Sequence, residues 1–137
     1  MTVIVTDEGF APDDWTGGFL AVEDLQAGAA PQAVDLPPDA DPEALAGLLD
    51  SLDLIRVAFP AFSDGRGFTI ARRLRLMGYH GRLRASGHVI ADQYAMARRC
   101  GFDEVEIADD LAARQPADQW LRRSDWRAHD YQSRLRA

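Results

Sequence analysis

The sequence predicts an α/β fold: a mostly parallel sheet of repeated βα units with flanking helices, Rossmann-like or partial-barrel-like. Three observations predict it. Short apolar runs alternate with stretches of helical periodicity from about residue 41 onward, the pattern of βαβ units. Glycines stand just past two of those helical stretches, at Gly78 and Gly101, where a left-handed residue ends a helix. The chain has 137 residues with 47% hydrophobic and 27% charged side chains, enough for one domain with a sizeable core. We therefore expect one domain over 1–137, with an irregular N-terminal part at 1–40 and a βα-repeat core at 41–137.

In 1–40, Val3–Val5 and Phe19–Val22 read as short strands, separated and followed by the turn formers Pro12-Asp13-Asp14, Gly17-Gly18, Gly28, Pro31 and Pro37-Pro38. A helix is expected from Asp41. Asp41 suits the N-cap and Pro42 the first helical position, and Leu45, Leu48, Leu49 and Leu52 form one stripe. Leu54–Phe59 reads as a strand ending before Pro60. A helix over about Phe68–Met77 turns Ile70, Ala71, Leu74 and Met77 inward, leaving Arg72, Arg73 and Arg75 mostly outside the stripe. Leu83–Ser86 is the next strand and Gly87-His88 a tight turn. A helix over about Val89–Cys100 follows, with Ile90, Tyr94 and Ala97 on one face. Asp103–Ile107 is another strand, with a short helix near Leu111–Arg114. Pro116 interrupts it, and an amphipathic helix is expected over Ala117–Arg134 with Leu121, Ala128, Tyr131 and Leu135 inside. Right-handed crossovers place the loops after Phe59, Ser86 and Ile107 at one edge of the sheet, where ligands of open α/β sheets bind.

All 15 basic residues are arginine. Without lysine there is no Schiff base, no pyridoxal phosphate attachment and no Walker lysine. Residues 1–55 carry 12 acids and no arginine, residues 56–100 carry 9 arginines and 2 acids, and residues 101–137 carry 6 arginines and 8 acids: −12 + 7 − 2 gives the net −7. The acidic total disfavours nucleic acid and membrane surfaces as partners, while a local basic patch can still hold a small oxyanion. One cysteine, Cys100, permits no internal disulfide or multi-cysteine metal site. No metal motif and no cofactor motif is evident. The N-terminus has no signal-peptide pattern and no apolar run reaches the ~20 residues of a membrane span, so a cytoplasmic location is expected.

The candidate ligand site combines two clusters. In Ser63-Asp64-Gly65-Arg66-Gly67 two glycines flank an arginine ahead of a helix, an arrangement that presents N–H groups and a planar guanidinium to an anion. The same residues also make an ordinary turn with Asp64 or Ser63 as a cap. In Arg84-Ala85-Ser86-Gly87-His88, Arg84 and Ser86 share a strand face. His88 at the start of a helix would stay neutral and able to act as a base, or would merely cap the helix. Asp92 and Gln93 are supporting residues, read chiefly as an ion pair and a hydrogen-bonded amide. Cys100 reads as a small buried hydrophobe. The pairs Arg72-Arg73, Arg98-Arg99 and Arg122-Arg123 can dock an acidic partner or the chain's own acidic N-terminal third. Trp120, Trp126 and Tyr131 exceed one core stripe and fit a homodimer or partner contact.

Several runs together carry a resemblance: Phe59-Pro60-Ala61-Phe62-Ser63-Asp64-Gly65-Arg66-Gly67-Phe68, Ala71-Arg72-Arg73-Leu74-Arg75, Gly81-Arg82-Leu83-Arg84-Ala85-Ser86-Gly87-His88-Val89, Asp92-Gln93 and Arg99-Cys100-Gly101-Phe102-Asp103. In this order, over about residues 44–134, they resemble the DUF934 family, small bacterial proteins of unassigned function. His88 departs from the acidic residue expected there. The family's genes typically lie beside those for sulfite reductase and other sulfate-assimilation enzymes, and its members are often labelled oxidoreductases. The resemblance thus implies a role in assimilatory sulfate and sulfite reduction. Two readings stay open: an accessory protein for sulfite reductase or a neighbouring enzyme, and a small oxidoreductase or oxyanion-binding enzyme or sensor. A third is structural, with Arg66 tied up by its own chain.

Overall fold

The computed structural model describes residues 2–25 and 31–126. Seven strands form one sheet: β1 (Thr2–Thr6), β2 (Gly9–Ala11), β3 (Leu20–Ala21), β4 (Ala33–Leu36), β5 (Leu54–Phe59), β6 (Arg82–Gly87) and β7 (Glu104–Ala108). Their spatial order is β2-β1-β7-β6-β5-β4-β3. Strands β3 to β7 pair in parallel, and β1 runs antiparallel to both β7 and β2. The α-helices are α1 (Arg66–Leu76), α2 (Tyr94–Cys100), α3 (Asp109–Arg114) and α4 (Ala117–Leu121). This is the mixed α/β architecture with a mostly parallel sheet that the alternating pattern predicts.

The five parallel strands follow one another in chain order, so each crossover steps in the same direction. Right-handed crossovers of that kind stack their helices on one face. The core agrees: Ile55, Val57 and Phe59 of β5, Leu83 and Ala85 of β6, and Val105 and Ile107 of β7 pack with Phe68, Ile70, Ala71 and Leu74 of α1, Tyr94 and Ala97 of α2, Leu111 and Trp120. Strand alternation turns the intervening residues to the other face, and most of those are charged. Parallel pairing of β5, β6 and β7 brings the loops after them to one edge, as expected.

Helices α1 and α2 end alike. Gly78 (φ +101°) follows α1, with the N–H of Tyr79 donating to Leu74 O and that of Gly78 to Arg75 O. Gly101 (φ +114°) follows α2, with Phe102 N–H on Ala97 O and Gly101 N–H on Arg98 O. Both are the paired closure that a left-handed glycine permits. Arg75 staples the two ends together, donating to Gly101 O, Tyr79 O, Gly81 O and Asp103.

Several expectations are corrected. The helix from Asp41 is two 3₁₀ turns, Pro42–Leu45 and Leu49–Ser51. Asp41 does cap the first, accepting from Glu43 N–H at 3.0 Å. Gly47, inside the intended helix, weakens continuation by about 1 kcal/mol relative to alanine, and the leucines reach the core from the turns instead. The helix placed from Val89 begins at Tyr94, preceded by a 3₁₀ turn over Ala91–Gln93. There the Gln93 side chain accepts from Ile90 N–H at 3.1 Å and holds the entering chain extended. The helix from Ala117 is described as α4 to Leu121; Ala128, Tyr131 and Leu135 lie outside the described residues, as does Gly28. Phe19–Val22 contracts to β3 and a 3₁₀ turn over Val22–Asp24. The described residues of 1–40 hold four of the seven described strands, β2 and β4 among them not expected from the sequence, because each is short and bounded by glycine or proline. Trp120 is fully buried, edge-on to Tyr94 and bonded to Gln115 O at 2.9 Å, so it belongs to the core rather than to an interface.

Candidate functional site

The polar face of the sheet carries a ladder of charges set by register. Asp35, Arg56, Arg84 and Glu104 are successive cross-strand neighbours from β4 to β7, with Arg82, Ser86 and Glu106 one step along. Arg56 makes a two-pronged contact with Asp35 (2.6 and 2.8 Å) and reaches Glu106 at 3.2 Å. Arg84 donates to Glu104 at 2.7 Å and Glu106 at 2.8 Å. Arg82 forks onto Glu104 at 3.0 and 2.8 Å. Arg84 is 0% exposed. Burial opposes its charge, but Asp13, Glu104 and Glu106 outweigh that and hold its guanidinium more firmly protonated.

The segment 12–19 joins β2 at one edge of the sheet to β3 at the other and crosses this face as a strap. Asp13 lies 3.2 Å from Arg84, Asp14 2.8 Å from Arg82, and the Phe19 ring lies over the Arg56 guanidinium at 3.7 Å. The hydrogen bond from Arg82 draws the Asp14 carboxyl below the usual range. Burial would raise Asp13, but Trp15 N–H and Arg84 draw it below that range as well.

The Ser63–Gly67 loop stands apart from this ladder. Arg66 is bound through Nε and Nη2 to Asp64 at 3.0 and 2.7 Å, and its own N–H also donates to Asp64. Its side chain is 59% exposed. Gly67 has a packing role: a Cβ there would sit 2.5 Å from the Phe59 ring. Ser63 and Gly65 are exposed. Gly87 combines φ +116° with a Cβ position 2.6 Å from Phe59 O, so only glycine fits. His88 is exposed, edge-on to Phe62 with centroids 5.1 Å apart, and not at a helix start. Asp92 pairs with Arg123. Gln93 donates to Phe62 O at 2.9 Å and so pins the Phe62 end of the loop to the next unit. Burial raises the Cys100 thiol above its usual value, against a smaller pull from Arg72, which leaves it a poor nucleophile.

Two cavities meet at Ser86 and Glu106. A cleft of about 410 Å³ on the polar face is lined by Glu23, Asp35, Arg56, Ala58 and Pro37 among others. A second, of about 180 Å³ at the carboxyl edge, is lined by Phe62, Gly87, His88, Leu111, Asp110 and Arg114. The structure thus gathers Ser86, Gly87 and His88 at one cavity with Arg84 buried beside it, and keeps Ser63, Asp64, Gly65, Arg66 and Gly67 outside both linings. Sequence reasoning missed Asp13, Asp14, Phe19, Asp35, Arg56, Arg82, Glu104 and Glu106. One signal was available: Arg82-x-Arg84 and Glu104-x-Glu106 alternate at strand period, which puts each pair on one face. Among the described residues no cluster of His, Cys, Asp and Glu is placed to hold a metal ion, and no helix is long and apolar enough to cross a membrane.

Residues 33–137 match the family model described as a bacterial protein of unknown function, DUF934. The chain belongs to the DUF934 family. The matched span takes in β4 to β7, hence the ladder's arginines, Asp35, Glu104 and Glu106, while the strap and the β1–β2 hairpin precede it. No curated protein and no solved structure is matched by the chain.

Proposed function

We propose that this DUF934 protein is a cytoplasmic accessory or interaction protein of assimilatory sulfate and sulfite reduction. In this reading it docks sulfite reductase, or another enzyme of that pathway, through the outer face of α1 and α2. One contrast carries it. The guanidinium groups of Arg56, Arg66, Arg82 and Arg84 are committed to the chain's own carboxylates, whereas Arg72 is exposed with no ion pair among the described residues. Arg72 and Leu76 lie one turn apart on α1; Met96 and Cys100 lie one turn apart on the adjoining α2, with Arg72 close enough to act on Cys100. Leu76 is 79% exposed and Met96 52%. Exposed apolar groups beside a free arginine suit an apolar contact rimmed by partner carboxylates. The sulfur pathway itself comes from the family's gene context. Tagged protein from sulfate-grown cells, after mild crosslinking, should bring down a sulfur-assimilation enzyme identifiable by mass spectrometry. Recovery of none would defeat the proposal.

A second reading, a small oxidoreductase or an oxyanion-binding enzyme or sensor of the same pathway, is favoured by the meeting of two cavities at Ser86 and Glu106. Thermal shift with sulfite, sulfate and adenosine phosphosulfates tests it, and unchanged melting with all of them would count against it. On the fold, we favour partial-barrel-like over Rossmann-like. The described parallel strands show no reversal of order, the feature at which doubly wound sheets bind ligands. The strap also supports curvature. Six strand spacings of about 4.8 Å would need about 29 Å on a flat sheet, and nine residue steps reach at most about 32 Å. A turn at Asp13, accepting from Trp15 N–H at 2.9 Å, uses up part of that reach, so a sheet bent toward the strap fits best.

A further inference from the structure

We infer that the Asp13–Asp14 strap is a displaceable cover, and that Arg82 and Arg84 beneath it form a binding site for a small oxyanion of at least two negative charges. The inference deepens the second reading above and moves its site from the Ser63–Gly67 loop to the polar face. The strap is held loosely. Pro12, Asp13, Asp14, Thr16, Gly17 and Gly18 are all exposed. Its charged contacts with the rest of the described chain are three ion pairs, Asp13 and Asp14 to Arg84 and Asp14 to Arg82, with the Phe19 ring over Arg56 at its far end; the bonds of Trp15 to Asp13 and Gly18 stay within the strap.

What lies under it is not loose. Arg84 is wholly buried and anchored by Glu104 and Glu106 through Nε and Nη1, while its Nη2 makes no well-formed hydrogen bond. That nitrogen sits 3.2 Å from Asp13 without the alignment of a hydrogen bond, and 3.6 Å from Asp14, too far for one; both contacts are charge attraction. Arg82 Nη2 lies on the same face, turned to Asp14. The strap carboxylates therefore occupy the place of an oxyanion, Asp14 accepting from Arg82 Nη2 at 2.8 Å while Arg84 Nη2 is left without a hydrogen bond. A tetrahedral dianion can accept from Arg84 Nη2 and Arg82 Nη2 together, as charge-assisted bonds require, and its entry returns two carboxylates to water. The remaining face, Arg56, Arg82 and Arg84 against Asp35, Glu104 and Glu106, is charge-balanced, so the entering anion meets no net repulsion once the strap lifts.

The test is titration of inorganic sulfate and pyrophosphate at constant ionic strength, chloride balancing. Binding is followed by calorimetry, and strap motion by hydrogen exchange over residues 12–19. The D13N/D14N protein keeps the turn at residue 13 but removes the competing charges; it should bind at least ten-fold more tightly than wild type. Adding Arg82→Gln should reverse that gain, and in wild type the anion should speed exchange across the strap. Equal affinity in wild type and D13N/D14N, or a gain that survives Arg82→Gln, overturns the inference. Binding that ignores the strap but disappears in Arg66→Ala would return the site to the Ser63–Gly67 loop, sparing the oxyanion reading and sinking this one. No binding in any folded variant sinks both.

Discussion

At Gly67, a residue in the run that most suggested an anion cradle, the constraint is a phenyl ring. Gly67→Ala forces a Cβ into Phe59 and should destabilise the fold by about 1–3 kcal/mol, measured by denaturant unfolding. Arg66→Ala removes only an exposed pair with Asp64 and should leave the melting temperature unchanged. Two residues of one motif thus separate by what they touch. Asp7 shows the converse, an unremarked acid with a structural task. It accepts from Tyr94 Oη at 2.5 Å, from Arg98 at 3.2 Å and from Trp126 Nε1 at 3.3 Å. Burial opposes these bonds, yet they hold its carboxyl below the ordinary 3.8. A depressed carboxyl adds stability above its unfolded value and loses it as pH falls through the folded one. Asp7→Asn should therefore cost about 1 kcal/mol at neutral pH, given its partial exposure, and should flatten the acid limb of stability below about pH 3.8. Tyr94, buried and donating to Asp7, stays protonated throughout that range.

At the scale of elements, β5, β6, β7 and α1 were legible within two residues at each end, because apolar runs and a helix stripe closed by glycine are local signals. The ladder was less so. Arg84 and Ser86 could be put on one strand face, but which carboxylates met them depended on β6 lying between β5 and β7, a non-local fact. The 3₁₀ turns after Asp41 and the short strands β2 and β4 were illegible for a different reason: each is too short for its period to stand out, and packing settles it. The ladder makes its own prediction. Arg84→Met leaves Glu104 paired with Arg82 alone and Glu106 with Arg56 alone in a buried setting, and should cost about 3 kcal/mol, the lower end for breaking a buried pair. A triple change of Arg84, Glu104 and Glu106 to apolar residues of similar volume should recover most of that, as read by urea unfolding.

Across the whole molecule the charge segregation resolves into contacts. The acidic first 55 residues supply Asp7, Asp13, Asp14, Asp35 and Asp41 to Arg98, Arg84, Arg82, Arg56 and Arg73. The central arginines are thereby spent inside the chain, and α1–α2 is left with Arg72 beside Leu76 and Met96. That division underlies the docking proposal, and it makes the N-terminal hairpin a structural cover. Deleting residues 1–11 would bare the β7 edge with Val105 and Ile107 behind it, and should cause aggregation visible by light scattering. The most direct measurement is a crosslinked pull-down from sulfate-grown cells with wild type, Arg72→Glu/Met96→Asp and Arg66→Ala. The docking account predicts that sulfite reductase or a neighbouring sulfur-assimilation enzyme comes down with wild type and Arg66→Ala and is lost with Arg72→Glu/Met96→Asp. Recovery of no such enzyme, or equal recovery with all three, would contradict it.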